Sequence, residues 1–146
     1  MEGKLFLETA RFLLRQQLPS EADCRTAVSR AYYACFLETR RVVFHNCSQQ
    51  HLRAHQLCSE KGIRHDKLSQ SLKGCDNDDV KSLGEGLADL RGRREDADYK
   101  MDVSMTVDDA KGAIEAADQL LGELFGVPAR EIGSAVDGYL RKIGPR

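Results

Sequence analysis

Between Leu90 and Lys100 the chain reads Leu-Arg-Gly-Arg-Arg-Glu-Asp-Ala-Asp-Tyr-Lys, a dense run of groups able to hold or move charge. Val80, Leu83, Leu87 and Leu90 step by three, four and three, and the same stepping passes through Arg94 to Ala97 and Met101. An arginine therefore sits on an otherwise apolar helical seam. Its planar guanidinium carries five donors in a fork that matches a carboxylate or a phosphate. Two readings stand side by side. In one, Arg94 pairs with Asp98 four residues on and Tyr99 packs its ring where the helix ends. In the other, Arg94 lines a cleft and forks onto a phosphate, with Arg93 and Tyr99 beside it.

A second constellation is Cys47, His51, His55 and Cys58, spaced by four, four and three. On one helix these share a face, and a histidine pair at this spacing can hold a metal. Four ligands from one straight helix cannot close a tetrahedron, so His45 or His65 would have to return from elsewhere. Surface and core roles are the plainer reading, and neither a metal nor a cofactor is expected. The five cysteines are odd in number, contain no CxxC pair, and do not make a disulfide framework. Cys24 and Cys35 read as small apolar residues on a packed face.

The elements that must position these groups are helical. Only three prolines are present, alternating apolar and polar runs are missing, and three-four spacing recurs throughout. The pattern predicts a helix over about 5–18, broken by Pro19-Ser20, with Ser20 capping a long second helix over 21–44. That helix carries Cys24, Val28, Ala31 and Cys35 on one stripe, widened by Tyr32 and Phe36. Residues 45–79 are the least regular, with short amphipathic pieces at 52–57 and 68–72 and helix stops expected at Gly62 and Gly74. The seam from Val80 follows, in which Gly84-Glu85-Gly86 reads as helix glycine or a kink. Thr106 and Asp109 approximate a capping box for the helix up to Gly126, and a last helix covers 128–143. The expected fold is all-α: an up-down antiparallel bundle of about five helices in a single domain, 1–146.

Composition removes many function classes. Twenty-two basic and twenty-three acidic side chains nearly cancel, so any nucleic-acid contact must be local. No phosphate-cradling glycine loop, nucleophile elbow, HExxH or dinucleotide fingerprint occurs. No apolar run approaches the roughly 18 to 20 residues of a membrane span, and Met1-Glu2-Gly3-Lys4 lacks a leader's layout, so a cytoplasmic location without membrane contact is expected.

Two segments together carry a resemblance: Asp23 to Phe36, containing Ser29-Arg30-Ala31-Tyr32-Tyr33-Ala34-Cys35-Phe36, and Arg94-Glu95-Asp96-Ala97-Asp98-Tyr99. Their "SRAYYAxF" and "RxxADY" patterns resemble a small stand-alone branch of the HEPN domain, over the stretch from the first helix to about Phe125. The resemblance implies a helical bundle that dimerises. In many such domains an arginine and a histidine, spaced as R-x(4-6)-H, form a metal-independent ribonuclease site. Others bind RNA or nucleotides beside minimal nucleotidyltransferases in toxin-antitoxin pairs, and in some of these a tyrosine near the motif is modified.

Carried across, Arg94 takes the place of the motif arginine, and the histidine position falls on Tyr99. A histidine titrates near 6.5, whereas a tyrosine near 10 is ionised in only about one molecule in a thousand at neutral pH, so Tyr99 is the poorer base. Glu95 brings negative charge where a polar residue often follows the arginine. Ser29, Arg30 and Tyr33 are expected on the same cleft. The implied function is a homodimeric RNA- or nucleotide-binding protein working through Arg94 and Tyr99 with a nucleotidyltransferase partner. The alternatives are a metal-independent ribonuclease using Arg94 and Tyr99 catalytically, and a non-catalytic helical interaction module.

Overall fold

The structure, a computed structural model, describes residues 2–55, 57 and 64–144. Among them it forms seven helices and no strand: α1 (Gly3–Leu14), α2 (Glu21–Asn46), α3 (Gln49–Ala54), α4 (His65–Lys73), α5 (Asp78–Tyr99), α6 (Val107–Gly126) and α7 (Ala129–Ile143). The all-α class is as expected, but the count is seven instead of five, because the two short amphipathic pieces are helices in their own right. The stop expected at Gly62 lies outside the described residues. No helix among the described residues is long and apolar enough to cross a membrane.

Local chemistry sets the boundaries. Ser20 and Asp23 exchange hydrogen bonds, Ser20 N donating to Asp23 Oδ2 at 2.8 Å and Asp23 N to Ser20 Oγ at 3.1 Å. Thr106 and Asp109 repeat this at 2.8 and 3.1 Å. Each cap satisfies an orphan amide of the helix it opens, an effect worth about 1 kcal/mol. The first helix ends at Leu14, four residues before the expected Leu18. Leu18 precedes Pro19, whose ring disfavours helical backbone in the residue before it, and Gln16 and Gln17 offer nothing apolar to bury.

The chain's contacts divide it into two compact units, Met1–Glu38 with Asp89–Leu121 and Thr39–Ala88 with Gly122–Arg146. In the first, α1 starts against the far part of α2: Gly3 N donates to Glu38 Oε1 at 2.8 Å, and a Cβ on Gly3 would fall 2.3 Å from the Ala34 carbonyl. Phe6 meets Tyr33, so α1 and α2 are antiparallel. Arg25 meets the end of α5 while Tyr32 lies beside Arg94, so α2 and α5 are antiparallel too. The short turn at 100–106 returns α6, bringing Gly112 beside Arg93. The up-down order is thus present in this unit. Its core is built from small residues, Ala27, Ala31, Ala113 and Ala117 being fully buried, so helices approach closely enough for the Cys35 thiol to lie 3.5 Å from the Ala117 carbonyl. Burial pushes the Cys35 thiol up to about 12, leaving it an inert apolar group, and moves Cys24 the same way.

In the second unit, Leu52, Leu68, Leu72, Ile132, Val136 and Leu140 form the core. Gly84 is a packing glycine inside a continuous α5: a Cβ there would fall 2.6 Å from the Lys73 amide nitrogen. That close approach, and not a kink, accounts for the glycine.

Candidate functional site

Arg94 is 8 % exposed. Its seam position turns the guanidinium inward, and desolvating a charge is costly unless other groups replace the water. Three rings do so in part: the guanidinium carbon is 5.3 Å from the centroid of Tyr32 and 5.9 Å from those of Tyr33 and Tyr99. Asp98 supplies one carboxylate, with Oδ2 3.6 Å from Nη1, and accepts a long hydrogen bond from Ser29 Oγ at 3.5 Å. The Nε of Arg94 is buried without a hydrogen-bond partner. A buried donor left unmade costs about 1–3 kcal/mol, so this guanidinium retains capacity for an anionic acceptor.

The tyrosines differ among themselves. Tyr32 is fully buried, and burial pushes its phenol above the ordinary range while the cations Arg94 and Arg91 pull the other way; it stays protonated. Its ring is edge-on to Tyr33 at 5.4 Å and stacked on Phe36 at 5.8 Å, which fixes the floor under Arg94. Tyr33 is half-buried, and Tyr99 is 72 % exposed. Tyr99 therefore does not pack away at the helix end, as one reading of the sequence had it; it stands beside the guanidinium with its ring open to solvent. Met101 and Val103, just beyond it, are also exposed.

Arg25 fixes the place where Tyr99 stands. Helix α5 has no basic residue in its last turn to meet its terminal carbonyls. Arg25, from α2, supplies the donors: Nη1 donates to the carbonyls of Asp96 at 3.2 Å, Ala97 at 2.9 Å and Lys100 at 3.2 Å, and Nη2 donates to that of Val103. Glu21 holds the guanidinium from behind at 2.8 Å and accepts the Met105 amide at 3.3 Å.

Of the residues singled out from sequence, Arg94, Tyr99, Tyr33 and Ser29 come together. Arg30 joins them through Phe6, its guanidinium carbon lying 5.3 Å from the Phe6 centroid and Phe6 lying 6.3 Å from Tyr33. Arg93 does not join. One residue further round the helix, its Nε pairs with Asp89 at 3.0 Å, and it lines a separate cavity of about 430 Å³ with Asp96, Asp108 and Asp109. Sequence reading placed Tyr32 on the apolar stripe of its helix and overlooked Arg25. Only the spacing of Glu21 and Arg25 hinted at an ordered arginine there.

The cysteine-histidine constellation does not gather. Cys47 is buried against the Gly133 carbonyl at 3.6 Å, with its thiol pushed up to about 12. His51 Nδ1 is 2.9 Å from Asp137, His55 is buried, and Cys58 lies outside the described residues. Among the described residues no group of three or more side chains is placed to hold a metal.

The fold and the site together define an all-α protein with a recessed arginine ringed by tyrosines. Compared with known proteins, the chain matches no family model, no curated protein and no solved structure.

Proposed function

We propose that this chain binds RNA or a nucleotide through Arg94 and Tyr99, in the manner its two motifs imply by their likeness to HEPN domains. One observation carries the reading: a guanidinium 8 % exposed, laid on tyrosine rings, with an Nε that has no partner and a carboxylate no nearer than 3.6 Å. A purely structural arginine at this depth closes its hydrogen bonds, as Arg25 does. A phosphate oxygen at the solvent-facing Nη edge of Arg94 would supply a closer acceptor than the Asp98 carboxylate, and the open ring of Tyr99 offers a face on which a base can stack.

Binding without cleavage is favoured over ribonuclease action. The position that the resemblance gives to a proton-exchanging histidine holds Tyr99, and the other described neighbours of Arg94 are tyrosines, a serine and a carboxylate. Exposed Tyr99, Met101 and Val103 beside the site support a second copy covering it. Action beside a nucleotidyltransferase rests on the resemblance alone.

The test is a mixed pool of RNA, incubated with the purified protein in excess chelator, with cleavage and gel-shift binding read from the same samples beside Arg94→Gln. Salt-sensitive binding that is lost in the variant, without cleavage, is the expected result. Cleavage lost in the variant would replace it with the ribonuclease reading. No binding, with dissociation of a dimer in the variant, would leave a protein-interaction module.

A further inference from the structure

The Arg94 site is one end of an aromatic row. From its guanidinium the contacts run to Tyr33 at 5.9 Å, from Tyr33 to Phe6 at 6.3 Å, and from Phe6 to the guanidinium of Arg30 at 5.3 Å. Two arginines thus flank two rings contributed by α1 and α2. Arg30 is exposed, whereas Phe6 and Tyr33 are half-buried, so each keeps surface that a ligand can meet.

The charge pattern makes Arg30 unusual. Of the ten lysines and arginines in this unit, seven hold a carboxylate ion pair: Lys4, Arg11, Arg25, Arg91, Arg93, Arg94 and Lys100. Arg15, Arg30 and Lys111 hold none among the described residues, and of these three only Arg30 is seated on an aromatic ring. The ring orients the guanidinium through its quadrupole without occupying a single donor, so every N–H remains available. An exposed arginine without such a seat loses side-chain entropy on binding; one already laid on a ring loses less.

We propose that Arg30 and Phe6 form a second subsite, and that the ligand is accordingly an RNA strand of several nucleotides instead of a mononucleotide. The proposal rests on the reading of Arg94 as a phosphate contact. With two rings between them, the two guanidiniums address different phosphates of one strand. The rings between them give the bases or riboses of that strand an apolar surface, the arrangement by which single strands are held with little sequence preference. A mononucleotide reaches only the Arg94 end.

Unlabelled adenosine monophosphate and single-stranded adenylates of two, four and eight nucleotides are set to compete against a fluorescein-labelled mixed-sequence RNA, read by anisotropy. Wild-type affinity should rise at least tenfold from the mononucleotide to the tetranucleotide. Arg30→Gln should remove most of that rise, weaken mononucleotide binding far less than tetranucleotide binding, and reduce the salt slope for the tetranucleotide by about 0.7, the loss of one phosphate contact. Phe6→Leu, which keeps the apolar volume but removes the ring, should act in the same direction more weakly. Melting curves of each variant confirm that the fold is kept. A tetranucleotide that binds Arg30→Gln as tightly as wild type, or no better than the mononucleotide binds wild type, would overturn the second subsite. Arg94→Gln separates the two ideas: weaker binding at every length upholds the Arg94 reading even if the Arg30 subsite fails. Full binding in Arg94→Gln with loss only in Arg30→Gln overturns the Arg94 reading and, with it, the second subsite as an extension of that site. A wild-type protein that competes for none of the probes sinks both.

Discussion

Arg94 in the first unit and His51 in the second are both charge-capable side chains on helices, each within reach of an aspartate, yet their surroundings are opposite. His51 Nδ1 lies 2.9 Å from Asp137, and the same carboxylate accepts the Ser48 amide at 3.0 and 3.1 Å. Those bonds let α7 cap the start of α3, so the carboxylate's acceptors serve the fold. Arg94 faces an aspartate at 3.6 Å, with a buried Nε unmatched and three rings standing in for water. A polar group whose bonds are closed inside the chain holds elements together, whereas one that is buried with bonds open keeps capacity for a further partner. Arg25 follows the first pattern within the same unit as Arg94, so the contrast belongs to the residues and not to the unit.

The sharpest way to break the contrast is to remove the floor of the arginine site. Tyr32→Ala deletes a fully buried ring and leaves both a cavity and an unsupported guanidinium, and should cost about 3–5 kcal/mol in urea unfolding. A loss below about 1 kcal/mol would show that the ring does not carry Arg94.

Next in size is the closed group. Asp137→Ala leaves the Ser48 amide and His51 without their acceptor and should cost about 1–3 kcal/mol, with faster amide exchange confined to α3. Unchanged exchange in α3 would remove the capping role given to Asp137.

The smallest expected effect on stability is at Arg94 itself. Replacing a buried, incompletely paired charge with an apolar side chain is often neutral or stabilising, so Arg94→Leu should keep or raise the melting temperature while abolishing RNA binding. A destabilisation of about 3 kcal/mol or more would mark Arg94 as a structural residue like Arg25.

Much of this was legible from residue spacing. The seam through Leu83, Leu87 and Leu90 placed Arg94 on an inward face, and three-four spacing located α2, α5, α6 and α7 to within a few residues. The capping pairs Ser20–Asp23 and Thr106–Asp109 are local, and for Thr106–Asp109 spacing alone named both partners. The helical nature of 49–54 and 65–73 was less clear, because helices of six and nine residues show too few turns for a periodic signal to separate from chance.

What spacing could not carry is which distant side chains meet. That Arg25 caps α5 depends on residues more than seventy positions apart, and Phe6 reaching Tyr33 depends on how α1 packs along α2. Likewise, the seam picks out Arg94 over Arg93 as the inward arginine, but which rings it meets depends on how α5 packs against α2. The helices, their caps and the inward phase of Arg94 were readable from residue order, since they follow from interactions within a few residues. That Arg94 lies on three tyrosines with a donor unmatched came from the packing of distant segments, because burial and pairing are properties of neighbours brought together by the fold.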